Sequence, residues 1–445
     1  MQFDLLIRGG TCVTPAGVVA ADIGVRDGRI VEIGRLSSTA ADEVLDVAGL
    51  TILPGVIDSQ VHFREPGLEH KEDLETGTRG AVLGGVTSIF EMPNTKPPTV
   101  NQEALGDKLH RAHGRTWCDH AFFIGATPAN YAELPELELL PGCAGIKLFM
   151  GSSTGNLLVS ESEDVLRTLQ HGFRRVPVHS EDEGRLRQRW SLVQDGADVS
   201  MHPVWRDVEA AIQNTRRLVE LARQAGRRVH VLHVTTAEEM EFLAEHKDIA
   251  TVEATPQHLT FSAPGCYEQL GSMAQMNPPI REEHHRLALW HAIEQGVVDV
   301  LGSDHAPHTR EEKAKPYPQS PSGMTGVQTL LPVMLDHVHA GRLSLERLVD
   351  LTGHGPQRIY SIARKGRIAV GYDADFAIVD LTAKRTITHD WIASRAGWTP
   401  YDERQVIGWP IHTVVRGRTV VLDGELQGSP IGAPVVFQEA LPLEA

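Results

Sequence analysis

The chain has 445 residues, 41% of them hydrophobic and 22% charged, so it can bury a large core and is too long for one small domain. Its 58 acidic and 42 basic residues leave a formal charge of −16, which argues against nucleic acid as a partner, because phosphate binding needs a basic face. The N-terminus, MQFDLLIRGG, lacks a signal-peptide pattern, no apolar run is long enough to span a membrane, and the four scattered cysteines without a CxxC pair read as reduced thiols of a cytoplasmic protein.

Residues 3–53 carry short strand-like runs, Asp4–Arg8, Ala21–Arg26 and Ile30–Ile33, around AspGly and GlyGly turns. They predict a small antiparallel sheet. Beyond Leu53-Pro54-Gly55 the rhythm becomes short apolar strands alternating with longer amphipathic segments, the pattern of a parallel sheet. Eight strands are expected there: Gly55–Phe63, Val86–Met92, His120–Gly125, Gly145–Met150, Val176–His179, Val229–His233, Thr251–Ala254 and Val298–Gly302. Leu74–Leu83, Glu209–Ala225, Ala237–Glu245, Arg286–Gln295 and Val327–His339 read as helices between or after them.

Eight such units over roughly 300 residues predict a closed (β/α)8 TIM barrel across residues 55–366. After about Lys365 strand-like runs return at Arg367–Val370, Asp375–Asp380, Thr413–Val415 and Arg418–Leu422. The simplest account is a small flanking β sandwich built from residues 1–54 and 367–445, with the tail from about Gly428 as a surface extension.

In a parallel barrel the chemistry comes from the C-terminal ends of the strands and the loops that follow. Several of those ends carry metal-binding or titratable residues: Gln60 and His62, then Lys147, His179, His233 and Asp304. Lys147, in the apolar run GlyIleLysLeuPheMet, is the sharpest anomaly, since burial of an ammonium is costly and lowers its pKa. A neutral amine can add carbon dioxide to form a carbamate, whose two oxygens suit two cations. The alternative is a lysine that snorkels to solvent. Imidazole, carboxylate and carbamate favour Zn²⁺, with Mn²⁺ or Co²⁺ as other candidates. Two cations about 3.5–4 Å apart could hold a hydroxide and polarise an amide carbonyl. Asp304 would then move the proton to the leaving nitrogen.

The motifs PGVIDSQVHFREPGLEHKEDL, EMPNT, GIKLFMGSSTG, HVLHVTT, ATPQHLTF, QMNPPIR, GSDHAPH and SPSGMTG occur in this order, with RIAVGYDAD near the end. Together they resemble the amidohydrolase superfamily and, within it, the long-chain, class I dihydroorotases. The resemblance implies that His62, Lys147, His179, His233 and Asp304 are metal ligands, with Lys147 carboxylated. It further implies that Arg64 and Asn94 bind a substrate carboxylate, and that Asn277 and His308 make further substrate contacts. For Arg64 and His308 a surface ion pair is the alternative, and for Asn94 a plain turn. The implied activity is reversible hydrolysis of dihydroorotate to N-carbamoyl-aspartate in pyrimidine synthesis. The resemblance implies a homo-oligomer; a non-catalytic homologue that supports a partner such as aspartate transcarbamoylase is a further alternative, which only Gln60 favours.

Allantoinases and hydantoinases share the metal scaffold, so another cyclic amide or imide hydrolase is the alternative. Residues 308–321, with five charged residues and three prolines, read either as a mobile loop over the pocket or as a solvated linker. One departure stands out. The family's first strand normally ends in His-x-His, whereas this chain has Gln60-Val61-His62. A neutral amide oxygen is a weaker zinc ligand than imidazole, which predicts unequal metal positions and reduced, redirected or absent activity.

Overall fold

The computed structural model describes residues 2–36, 41–153, 155, 157–194 and 196–440; Thr154 of the GSSTG run and the last five residues of the tail lie outside the described residues. The eight expected parallel strands are present: β1 (Val56–Val61), β2 (Val86–Glu91), β3 (Asp119–Gly125), β4 (Cys143–Phe149), β5 (Val176–His179), β6 (Val229–Val231), β7 (Ala250–Ala254) and β8 (Val300–Leu301). They lie side by side in chain order. A parallel bridge from Val61 to His305, with His62 N donating to His305 O at 2.7 Å, joins the last strand back to the first. Every residue of these strands is buried, because side chains fill the interior and helices cover the outside.

The longest helix shows how the sequence sets such a cover. In Val208–Ala225 the N-cap Asp207 accepts from Ala210 N, and Gly226, at φ +67°, ends the helix in the left-handed conformation. Ala211, Leu218 and Ala222 face inward at helical spacing. The other expected helices occur as Leu74–Leu83, Ala237–Ala244, Glu283–Glu294 and Leu330–His339.

Both chain ends build the flanking strands. A seven-stranded sheet runs from Glu425–Leu426 through Arg418–Leu422, Gln405–Val415 and Phe376–Thr386 to Thr51–Pro54, Thr11–Thr14 and Gly17–Ala20. A four-stranded sheet holds Arg29–Gly34, Asp22–Arg26, Phe3–Arg8 and Ala41–Asp46. Leu5, Ile23 and Ile30 from the N-terminal end share one apolar cluster with Phe376, Ile378 and Val414 from the other.

Three expectations need correction. The N-terminal sheet is not purely antiparallel, because Phe3–Arg8 pairs in parallel with Ala41–Asp46. Arg367–Val370 is not a strand: Gly366 at φ +78° and Gly371 at φ +88° bracket it with turns, although Ile368 reaches the shared cluster. The tail is not a surface extension either. Val435 N donates to His120 O, Gln438 N donates to Ser361 O, and Val435 and Phe437 pack against Phe90, Phe123 and Tyr360. Apolar burial of these two side chains holds the segment against the barrel. The four cysteines are buried and unbridged, and no helix among the described residues is long and apolar enough to cross a membrane.

Lys365 ties the two parts together. Its Nζ lies 2.6 Å from Asp119 on β3, 2.7 Å from Asp375 and 3.2 Å from Asp373, and Arg416 Nε reaches Asp119 at 3.1 Å. Lys365→Met leaves the Asp119 and Asp375 carboxylates buried without this cation. That change should cost about 3–5 kcal/mol, the usual penalty for breaking a buried pair on one side. A urea unfolding midpoint that does not move would show that the cluster is not what joins them.

Candidate active site

Gln60, His62, Arg64, Lys147, His179, His233, Asn277 and Asp304 all line one pocket of about 370 Å³. Asn94 and His308 stand behind it, each in contact with a lining residue. Arg64, His233 and Asp304 have φ of +66°, +39° and +45°, a left-handed backbone that costs a non-glycine residue roughly 1–3 kcal/mol. All three lie at or just beyond strand ends, where the chain turns sharply and aims a side chain into the barrel mouth.

One side of the pocket is an imidazole pair. His179 Nδ1 and His233 Nε2 face each other at 3.1 Å, and the second nitrogen of His179 contacts Glu181 Oε2 at 2.9 Å. Glu181 is held in turn by Arg206, at 2.6 Å. Burial works against the Glu181 carboxylate, but Arg206 and His179 outweigh it and hold the group well below the usual range. The other side joins His62 Nε2 to Asp304 Oδ1 at 3.3 Å, while His62 Nδ1 contacts Asn94 Oδ1 at 2.8 Å. Gln60 Nε2 donates to the same Asp304 oxygen at 3.1 Å.

Lys147 belongs to both sides electrostatically, since its charge acts on His179 and His233 and it is attracted by Asp304. It is 1% exposed and does not snorkel. Its Nζ sits 4.4 Å from the centre of the Phe149 ring and has no hydrogen-bond partner among the described residues. Burial pushes it down to about 7, so much of it is neutral amine near neutral pH. Burial also lowers His62, His179 and His233, which keeps the imidazoles in the neutral form that ligates metals.

This donor set fits a metal. Gln60 Oε1, Lys147 Nζ and His233 Nδ1 are buried polar atoms without a hydrogen-bond partner among the described residues, an arrangement that is costly unless something else satisfies it. Two imidazole nitrogens bound to one tetrahedral zinc lie roughly 3.3 Å apart, close to the spacing of the His179–His233 pair. Among the described residues no three His, Cys, Asp or Glu side chains form a metal-holding group by themselves. Each side supplies only two, His179 with His233 and His62 with Asp304, and the residue common to both is a lysine. A carbamate on Lys147 would complete each set.

Beneath the pocket lie two further acids. Glu253 on β7 accepts from His233 N at 3.2 Å, and its Oε2 has no hydrogen-bond partner among the described residues. Burial, with Asp304 and Asp58 nearby, raises it well above the usual carboxylate range. Burial likewise pushes Asp58 up to about 7, although Asp58 Oδ1 accepts from Ser303 N at 3.0 Å. Gly302 must stay small here, because an added Cβ would lie 2.5 Å from Glu253 Oε2.

The far end of the pocket is basic. Arg64 is 2% exposed, and no carboxylate lies within 4 Å of its guanidinium among the described residues. Its Nε donates to Pro307 O at 3.1 Å, and burial lowers it to about 10, so it stays charged. Asn277 Oδ1 contacts His202 Nε2 at 3.0 Å.

The 308–321 segment, expected to be a mobile loop or a solvated linker, is anchored. Lys313 is fully buried and donates to Gln275 O, Pro321 O and Gly323 O at 2.9–3.1 Å. A capping box between Thr309 and Glu312 fixes its start. Gly323, at φ +143°, completes the wall, and a Cβ there would lie 2.2 Å from Ala306 O.

Glu181, Arg206 and Glu253 take part in this site without having been singled out in the sequence. Glu181 carries a faint local signal, two residues after a candidate ligand on the same strand end. The others meet the site only through the fold.

The fold and the pocket together define a parallel α/β barrel whose mouth gathers a buried lysine and strand-end histidines. The amidohydrolase family model matches residues 204–420, and a dihydro-orotase-like model matches residues 49–115. A dihydroorotase of Halobacterium salinarum is 37% identical over 420 residues, covering 92% of this chain and 97% of that protein. An allantoinase of Deinococcus radiodurans is 33% identical over 447 residues, covering 97% and 98%. Among solved structures, an L-hydantoinase (dihydropyrimidinase) from Arthrobacter aurescens superposes with a TM-score of 0.92 at 30% identity, covering 97% of this chain and 99% of that one. The chain belongs to the amidohydrolase family, in its dihydroorotase-like group.

Replacing Glu181 with Gln removes the charge behind His179 while keeping an acceptor for Arg206. Zinc affinity, read by chelator competition, should fall roughly ten- to a hundredfold, as with other carboxylates that orient metal-binding histidines. Unchanged affinity would mean that Glu181 serves Arg206 alone.

Proposed function

We propose that the protein is a dihydroorotase that reversibly hydrolyses dihydroorotate to N-carbamoyl-aspartate. One observation carries the substrate choice: Arg64 is a buried cation beside the pocket with no carboxylate within 4 Å among the described residues. A buried guanidinium needs a counter-charge, and a planar carboxylate matches its fork. Dihydroorotate has a ring carboxylate, whereas allantoin and hydantoin do not. The name of the 37%-identical relative supports the same choice.

His62, Gln60 and Asp304 would hold one divalent cation and His179 with His233 the other, zinc first among candidates, with carboxylated Lys147 between them. When bound, the metal would polarise the ring amide carbonyl and make an attacking water more acidic. The remaining work falls to the chain. Arg64 fixes the carboxylate and so aims the amide at Asp304. Asn277, on the pocket wall, offers a polar contact to the ring. Asp304 Oδ2 takes the proton of the attacking water and returns it to the ring nitrogen as the amide bond breaks.

A hydantoinase- or allantoinase-like activity is the second reading, favoured by the relatives of those names and by the superposition. Metal-loaded protein offered dihydroorotate, hydantoin and allantoin in parallel should turn over dihydroorotate. Turnover of hydantoin or allantoin alone would remove the assignment. A folded protein that takes up no metal and hydrolyses none of them would instead be a scaffold homologue.

Gln60 bears on the metal directly. Its amide nitrogen is spent on Asp304, which leaves only a neutral oxygen for a cation. The position supported by His179 and His233 should therefore fill first. Gln60→His should raise bound zinc from about one equivalent toward two, the complement of a two-metal hydrolase site. Plasma emission analysis of dialysed protein measures this, and an identical metal content in both proteins would place Gln60 outside the coordination sphere.

A further inference from the structure

We propose that Lys71, outside the pocket, locks the His308 ring in its Nε2–H tautomer and thereby keeps Arg64 available for an anionic substrate. The second half of this proposal rests on the dihydroorotase reading; the first does not. The argument begins with which atoms can donate. Lys71 Nζ lies 3.1 Å from His308 Nδ1 and 3.0 Å from Glu312 Oε1. An ammonium only donates, so Nδ1 must accept. Burial, with Arg64 next in weight, depresses His308 to about 3, so the ring is neutral and carries a single N–H.

That hydrogen therefore sits on Nε2, where Ser322 O accepts it at 3.0 Å. Ser322 is part of the pocket wall. Arg64 Nη2 also approaches Nε2, at 3.3 Å. It meets an N–H there rather than a lone pair, so the contact is not a hydrogen bond and the Nη2 hydrogens are not consumed.

Loss of Lys71 reverses this logic. Glu312 Oε2, 3.6 Å from His308 Nδ1, becomes the nearest partner and draws a proton onto that nitrogen. Nε2 is then bare, accepts from Arg64, and breaks with Ser322 O. One change thus takes a donor from Arg64 and loosens a pocket wall. Lys71 is a positioning residue that acts on the anion through two others. It also adds a second positive charge at this end of the site, offset by Glu312 alone among the carboxylates within 4 Å of it in the described residues.

The test uses zinc-loaded protein labelled with 15N at histidine, with the His308 signals assigned by their loss in His308→Gln. In the wild type, Nδ1 should show the unprotonated shift and Nε2 the protonated one. Lys71→Met should exchange the two, and Lys71→Arg, which still donates, should retain the original pattern. Dihydroorotate should bind Lys71→Met roughly ten- to a hundredfold more weakly, the loss expected for one charge-assisted hydrogen bond. KM should carry this loss while kcat changes far less. Uncharged dihydrouracil, which lacks the carboxylate, should bind both proteins alike, whereas general damage to the pocket would weaken it too.

A wild-type ring protonated on Nδ1 overturns the proposal whatever the substrate is. A tautomer exchange that leaves dihydroorotate affinity untouched, or that weakens both probes equally, overturns the role assigned to Lys71. Failure of the wild type to bind dihydroorotate overturns the substrate reading, and the ligand-free imidazole spectrum tells that failure apart from the others.

Discussion

A lysine amine sealed inside a barrel sets the terms for this molecule. Lys147 lies on β4 with its nitrogen against the Phe149 ring and without a hydrogen-bond partner among the described residues. Water cannot stabilise its ammonium form there, so the amine is driven toward neutrality. Around it stand groups shaped to the same end: neutral imidazoles on β5 and just after β6, and an aspartate just after β8. The second nitrogen of His179 faces Glu181, that of His62 faces Asn94, and Asp304 accepts from Gln60. Such a centre gathers neutral imidazoles, a carboxylate and an amine, a donor set whose chemistry suits a cation.

The cost of that centre appears in the backbone and in the charges below it. Left-handed φ angles at Arg64, His233 and Asp304 are unfavourable individually. They persist because hydrogen bonds clamp the neighbouring chain, as between His62 N and His305 O. Asp58 and Glu253 add buried acid beneath the donors, and both are pushed toward the protonated form. A divalent cation above them would supply the missing positive charge. The acids answer burial by taking up protons, so binding a cation there would be coupled to their release.

The barrel was legible in the chain because strand and helix leave different periods, and both are strong here. Val208–Ala225 could be read within one residue from its apolar spacing, and the structure adds the Asp207 cap and the terminal Gly226. The convergence of the strand-end candidates was legible because a parallel barrel converts position along a strand into position in one pocket. What escaped was set by tertiary pairing. The parallel partnership of Ala41–Asp46 with Phe3–Arg8 has no local signature. The tail around Val435 and Phe437 reads as GlySerPro linker until the apolar floor of the barrel is there to receive it. Residues 308–321 look solvated by composition, yet Lys313 finds three carbonyls and turns a charged segment into a wall. Asn94, tied to substrate by resemblance, has its amide oxygen on His62, a role no spacing rule separates from a turn.

Gln60 shows how one side chain can alter a site without disturbing its frame. It occupies the same buried place on β1 that an imidazole would fill and keeps its register with Asp304, so the architecture tolerates it. The change falls on charge and ligand strength instead. His179 with His233, backed by Glu181 and Arg206, forms a stiff, strongly donating pair, whereas His62 shares its side with an amide already bonded to Asp304. In the proposed mechanism Asp304 would both help hold a cation and carry a proton. A weakly held cation on that side would compete less for the carboxylate and leave Asp304 freer for the proton transfer proposed above. On the proposed mechanism the asymmetry would not abolish hydrolysis: it would move electrophilic activation toward the His179–His233 side and orientation toward Arg64.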